Sequence, residues 1–113
     1  VIRVAATLGF LGVALGAFGA HGLKERLSPA MLEVYRTGVL YHLLHAVALL
    51  AVALGAEKLA RPRAVGALFT AGVIVFSGSL YVLSVTGVTA LGAVAPLGGL
   101  LLMAGWVTLA LNR

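Results

Sequence analysis

The chain has 113 residues, 62% of them hydrophobic and 10% charged, with no cysteine and a formal net charge of +5. With a mean hydropathy of +1.14, too little polar material remains for a water-soluble catalytic domain, and a single membrane domain over 1–113 is expected. The missing cysteines exclude a disulfide framework, a thiolate nucleophile and a Cys-based metal site. The basic residues Arg3, Lys24, Arg26, Arg36, Lys58, Arg61, Arg63 and Arg113 stand only in connections and ends, which points to lipid headgroups as their partners and not to nucleic acid.

Four spans are expected in chain order. The first covers about 4–20. Arg3 ahead of an apolar run that ends Ala17-Phe18-Gly19-Ala20 has the outline of a secretory signal, but the spacing of its glycines suits helix packing better. In the connection that follows, Ser28 is placed to cap a helix whose first residue is Pro29, because Ser accepts from an orphan N–H and Pro has none to lose. That helix begins amphipathically at the interface, with Tyr35 and Arg36 as its markers, and crosses the membrane over about 37–56. Arg61-Pro62-Arg63 leads into a run, 64–112, that contains no Asp, Glu, Lys or Arg and is long enough for two more spans, about 64–86 and 89–111. The last is expected to begin near Thr89 and bend at Pro96, since 16 residues from Pro96 to Leu111 would reach only about 24 Å. Because proline frees a carbonyl one turn earlier, the face carrying Pro96 is expected to point into protein. The fold class is an all-α integral membrane protein, a four-helix antiparallel bundle. Arg3, Lys58, Arg61, Arg63 and Arg113 on one side outnumber Lys24, Arg26 and Arg36 on the other, which places both termini in the cytoplasm.

Two patterns carry candidate chemistry. Gly12, Gly16 and Gly19 on the first span, and Gly98 and Gly99 on the last, are candidate helix-packing positions, where the absence of a Cβ lets backbones approach. His42 and His45 share a helix face with Tyr41, His21 closes the first span on the same side, and Ser77, Tyr81 and Ser84 recur on the third span with Thr70 a heptad earlier. His21, Tyr41, His42, His45, Ser77, Ser79 and Tyr81 are therefore the candidate polar cluster, with His21, His45, Ser77, Ser79 and Tyr81 expected together in the outer half of the bundle. Interhelical hydrogen bonding accounts for such residues without further function. Metal or haem ligation lacks a carboxylate in the spans to complete a usual site, and Ser–His catalysis lacks an orienting acid.

Gly16-Ala17-Phe18-Gly19-Ala20-His21-Gly22, Tyr41, His45-Ala46, Phe76-Ser77-Gly78-Ser79-Leu80-Tyr81, Pro96-Leu97-Gly98-Gly99 and Gly105-Trp106 together resemble the YgdD-like family of small bacterial inner-membrane proteins, the domain of unknown function 423. The resemblance covers nearly the whole chain and implies four spans in the inner membrane with no established activity. Where this chain has His42, that family often carries Gln, which weakens any scheme that needs a His42/His45 metal clamp.

The reading taken forward is a structural or interaction protein in the lipid bilayer that self-associates as a homo-oligomer or serves a larger membrane process, with no cofactor, no metal, no nucleic-acid partner and no assigned ligand. A small-solute or proton transporter acting as an oligomer is the first alternative, although similarly small exporters use an intramembrane carboxylate that this chain lacks. A haem- or quinone-linked membrane subunit is the second.

Overall fold

Residues 1–112 are described by a computed structural model; Arg113, one of the basic residues counted for the topology, lies outside them. Among the described residues there are four α-helices, with a short 3-10 turn, Ala56–Lys58, between the second and third. α1, Ile2–Phe18, runs on through a π-turn, Gly19–Leu23, so that the first apolar segment continues to Leu23. α2 is Pro29–Leu54, α3 Pro62–Thr86 and α4 Leu91–Ala110. All four are long and apolar enough to cross a membrane. At 47 Å the long axis of the molecule exceeds a hydrocarbon layer of ~30 Å.

Each boundary has a local cause. Ser28 Oγ accepts from Met31 N at 3.2 Å and Pro29 occupies the first turn, so α2 starts well before its apolar stretch. Over that start Leu32 and Tyr35 are buried while Glu33 and Arg36 are exposed, the expected amphipathic entry. α3 stops at Gly87, whose φ of +74° lies in the left-handed region that disfavours any side chain. The connection between α2 and α3 is held by Asn112, which accepts from Ala60 N at 2.6 Å and donates to the Lys58 carbonyl at 3.1 Å.

The helices pack in chain order, α1 on α2, α2 on α3 and α3 on α4, while α1 barely meets α3. Ala5, Leu49, Val52, Val65, Phe69, Val73 and Leu102 form the apolar core. It sits toward the end of the bundle that carries the start of α1 and the connection between α2 and α3. Outside it, Phe10 is 73% exposed, and Val13, Val47, Leu54, Ile74, Leu100 and Met103 also face outward. In water so continuous an apolar coat drives aggregation, whereas in lipid it is the ordinary outer surface.

Glycine sets how closely the helices approach. A Cβ on Gly98 would run into the backbone of α3, against Phe76 N and 2.6 Å from Phe76 Cα. One on Gly12 would lie 2.5 Å from Leu43 Cδ2, one on Gly16 3.2 Å from Val39 Cγ1, and one on Gly19 would enter the Tyr35 ring. Gly99 is slacker, 3.8 Å from the Phe76 ring. Two contacts of the same kind are not evident from the spacing: Gly72 receives Leu102, and Gly105 receives Phe69, each at 2.5 Å from a Cβ position.

Pro96 departs from expectation. It stands inside α4, which begins at Leu91, yet it is exposed, and the buried positions beside it are Ala95 and Gly98. The carbonyl that it frees belongs to Gly92, one residue into the helix. So near a helix end, interfacial water can satisfy that carbonyl without a protein partner.

Candidate functional site: two histidine networks

The polar residues of the interior are joined by hydrogen bonds into two networks, and the single cluster expected from the sequence is corrected accordingly. The first ties α1, α2 and α3 together. His42 on α2 places Nε2 2.7 Å from the Leu8 carbonyl and Nδ1 2.7 Å from the Tyr81 hydroxyl. A carbonyl only accepts, so Nε2 carries the proton and donates to Leu8, which leaves Nδ1 of the neutral ring to accept from Tyr81. Tyr81 is near the far end of α3, but helical side chains lean toward their own N-terminus, which brings its ring down to the depth of His42. Gly38 makes room for it, since a Cβ there would sit 2.9 Å from the Tyr81 ring. The Gly38 carbonyl meanwhile accepts from Ser77 Oγ at 2.7 Å.

Tyr35 extends this network at one end. Its ring lies 5.3 Å from that of Tyr81 and its hydroxyl donates to the Leu15 carbonyl at 2.5 Å. Leu15 stands just before the α-to-π junction, where the N–H of Gly19 is shared between Leu15 O and Gly16 O. The Leu15 carbonyl, which shares that N–H with Gly16 O, has a second lone pair, and the Tyr35 hydroxyl takes it.

The second network joins α2 to α4 over the apolar core. Trp106 Nε1 donates to His45 Nε2 at 3.0 Å, and His45 Nδ1 is 2.8 Å from the Tyr41 carbonyl. Indole N–H is only a donor, so Nε2 of His45 is bare and Nδ1 carries the proton. The two histidines are thus held in opposite tautomers. Phe69 meets His45 edge-on, with centroids 5.2 Å apart, and is tilted against Trp106 at 5.0 Å. Because Phe69 belongs to the first half of α3 and Trp106 to the last quarter of α4, this network lies toward the terminus-bearing end and not in the other half.

Within the described residues, the side chains of the remaining candidates make no hydrogen bond from one helix to another. His21 is exposed in the π-turn, because it stands two residues from the buried Gly19 and Leu23 and so on the opposite side of the turn. Ser79 Oγ donates to the Val75 carbonyl of its own helix at 2.5 Å, Ser84 to Tyr81 O and Thr70 to Gly66 O. Such i−3/i−4 bonds spend the single donor of the hydroxyl within its own helix. Tyr41 is half-exposed, with its ring 5.0 Å from Phe76. Among the described residues no group of three His, Cys, Asp or Glu is placed to hold a metal ion, and no buried side-chain nitrogen or oxygen lacks a partner.

Several members of the networks are not readable as a site from the sequence. The Leu8, Leu15 and Gly38 carbonyls belong to backbone, which carries no residue-type signal at all. Tyr35 reads as an interface residue and Trp106 as part of a familial string. The signal for both was the donor that each must satisfy when placed in an apolar setting.

Comparison with known proteins gives a family and no function. A family model described as "Protein of unknown function (DUF423)" matches residues 15–99. The UPF0382 membrane protein YwdK of Bacillus subtilis is 49% identical over 100 residues, which cover 86% of this chain and 81% of the relative. A UPF0382 membrane protein of Haemophilus influenzae is 41% identical over 112 residues, 96% of this chain and 89% of the relative, and one of Schizosaccharomyces pombe is 37% identical over 113 residues, 95% of each. No solved structure matches.

Proposed function

The chain belongs to this DUF423 family of membrane proteins, and from the chemistry of its interior we propose that it is a closed bundle acting through contact with other membrane components, first of all with further copies of itself. One observation carries the reading: His42 and His45 have both ring nitrogens engaged. A proton path needs a ring that exchanges its proton with a mobile neighbour, and a haem or metal site needs a free ring nitrogen. At His45 Nε2 either would first have to break the interhelical bond from Trp106, and at His42 a metal or haem would have to displace Tyr81 or the Leu8 carbonyl. Protonating His45 at Nε2 would set two donors against each other, because the indole of Trp106 cannot accept.

The finer placement belongs to the same proposal. The bundle sits in a cell's inner membrane with the end that bears Arg3, Lys58, Arg61 and Arg63 toward the cytoplasm, following the excess of basic residues there. Self-association is tested by cross-linking in native membranes and by the mass of the protein in mild detergent measured by light scattering. A mass of two or more chains, held after dilution, is the expected result. A monomer that forms no cross-links in the membrane and brings no second protein with it would overturn the reading.

A further inference from the structure

The edge where α1 passes α3 is open, because α1 leans on α2 and barely meets α3. Two recesses lie along it. One of about 520 Å³ lies at the end of the bundle and is lined by Arg3 and Arg63, its charged residues, with no acid among them. The other, of about 430 Å³, shares Arg63 with the first and continues along α3 between Val4 and the small residues Gly66, Ala67 and Ala71. Thr70 also borders it, but its hydroxyl is spent on the Gly66 carbonyl, so the wall presents almost no polar surface. At the mouth, α3 begins at Pro62 with no side chain capping its first turn, and the uncapped N–H groups there add a positive helix end to the two guanidinium groups.

We propose that this edge binds one anionic phospholipid, with its phosphate between Arg3 and Arg63 at the start of α3 and one acyl chain lying along Gly66, Ala67 and Ala71. Charge complementarity selects the headgroup. Guanidinium forks match phosphate oxygens in two parallel hydrogen bonds, which an ammonium cannot do. The apolar continuation selects a lipid over a free anion, because inorganic phosphate would fill the mouth and leave the groove empty. The site is independent of self-association and fits a monomer or an oligomer equally.

The test is native mass spectrometry of the full chain released from nanodiscs made of equal parts phosphatidylglycerol and phosphatidylcholine. The wild type is expected to retain phosphatidylglycerol preferentially, and Arg3→Gln/Arg63→Gln to lower that preference by about 30-fold, at roughly fivefold per basic residue near the surface. Both arginines are exposed, so the fold survives the change. Lys24→Gln/Arg26→Gln, at the opposite end, should leave the preference as it was. Ala67→Leu, which fills the groove, should reduce retention of phosphatidylglycerol while circular dichroism stays the same. An equal loss from both pairs of basic substitutions would assign the preference to bulk surface charge and overturn the site. Displacement of the lipid by excess inorganic phosphate would overturn it in favour of a free-anion site.

Discussion

His45 separates a structural histidine from a working one. Its two bonds, from Trp106 Nε1 and to the Tyr41 carbonyl, can be reproduced by an amide that donates and accepts. His45→Gln is therefore expected to retain the fold and the thermal stability of the wild type in detergent, whereas Trp106→Phe, which leaves a buried acceptor bare, should cost about 1–2 kcal/mol. Denaturation of the two variants in the same micelles compares them directly. The His42–Tyr81 bond calls for a double-mutant cycle with His42→Ala and Tyr81→Phe, and the coupling should fall between about 0.6 and 1.7 kcal/mol. A coupling near zero would mean that the bond adds nothing in lipid. At this scale the sequence was partly legible. It marked His42, His45, Ser77 and Tyr81 as interior polar residues, because lipid leaves such groups no other place. It could not pair them, since four of the acceptors, Leu8 O, Leu15 O, Gly38 O and Tyr41 O, are carbonyls that every residue has, and most side-chain hydrogen bonds go to backbone or water.

Helix contacts depend on where a missing Cβ matters. Gly98→Ala would set a methyl group against the Phe76 backbone, which has no rotamer through which to yield. Overpacking of this kind should destabilise by about 2–3 kcal/mol and loosen α4 from α3. Gly92→Ala, with nothing within 4 Å of its Cβ position, is expected to be neutral or to stabilise by up to about 1 kcal/mol, because alanine is the better helix former. Gly16→Leu lies between the two, since Val39 stands 3.2 Å from the Cβ position and a branched side chain there holds α1 away from α2. Thermal unfolding of the three variants ranks them, and a Gly98→Ala protein as stable as Gly92→Ala would refute the close approach of α3 and α4. The clustered glycines of α1 stand out in the sequence because several recur near one-turn spacing. Gly72 stands alone on its face and Gly105 lies a heptad from Gly98, and only the partner side chains, Leu102 and Phe69, reveal their role. Ser28 and Pro29 were legible as a helix start because a cap and an N1 proline act locally. The exposure of Pro96 was not legible, since it depends on how far into α4 the freed carbonyl falls.

For the whole molecule, orientation and closure are the two open questions. Orientation is tested by fusion: alkaline phosphatase joined after the last residue should be inactive and a fluorescent protein at the same point bright, if the end that bears Lys58, Arg61 and Arg63 is cytoplasmic. The reverse pattern would invert the topology. Four spans and their order were legible because uncharged runs of span length are a property of composition, and so was the membrane setting. The division of the interior into an apolar core at one end and two histidine networks was not legible, because it depends on the relative rotation of four helices. Closure of the interior is read by nitrogen-15 NMR of histidine-labelled protein in bilayers, in a His21→Gln background that leaves His42 and His45 as the two labelled residues. Two neutral rings in opposite tautomers are expected, His42 protonated at Nε2 and His45 at Nδ1, with neither exchanging magnetisation rapidly with water. Rings that average between tautomers, or that carry a positive charge in contact with water, would contradict closure and turn the interior from a closed interface into a wet path.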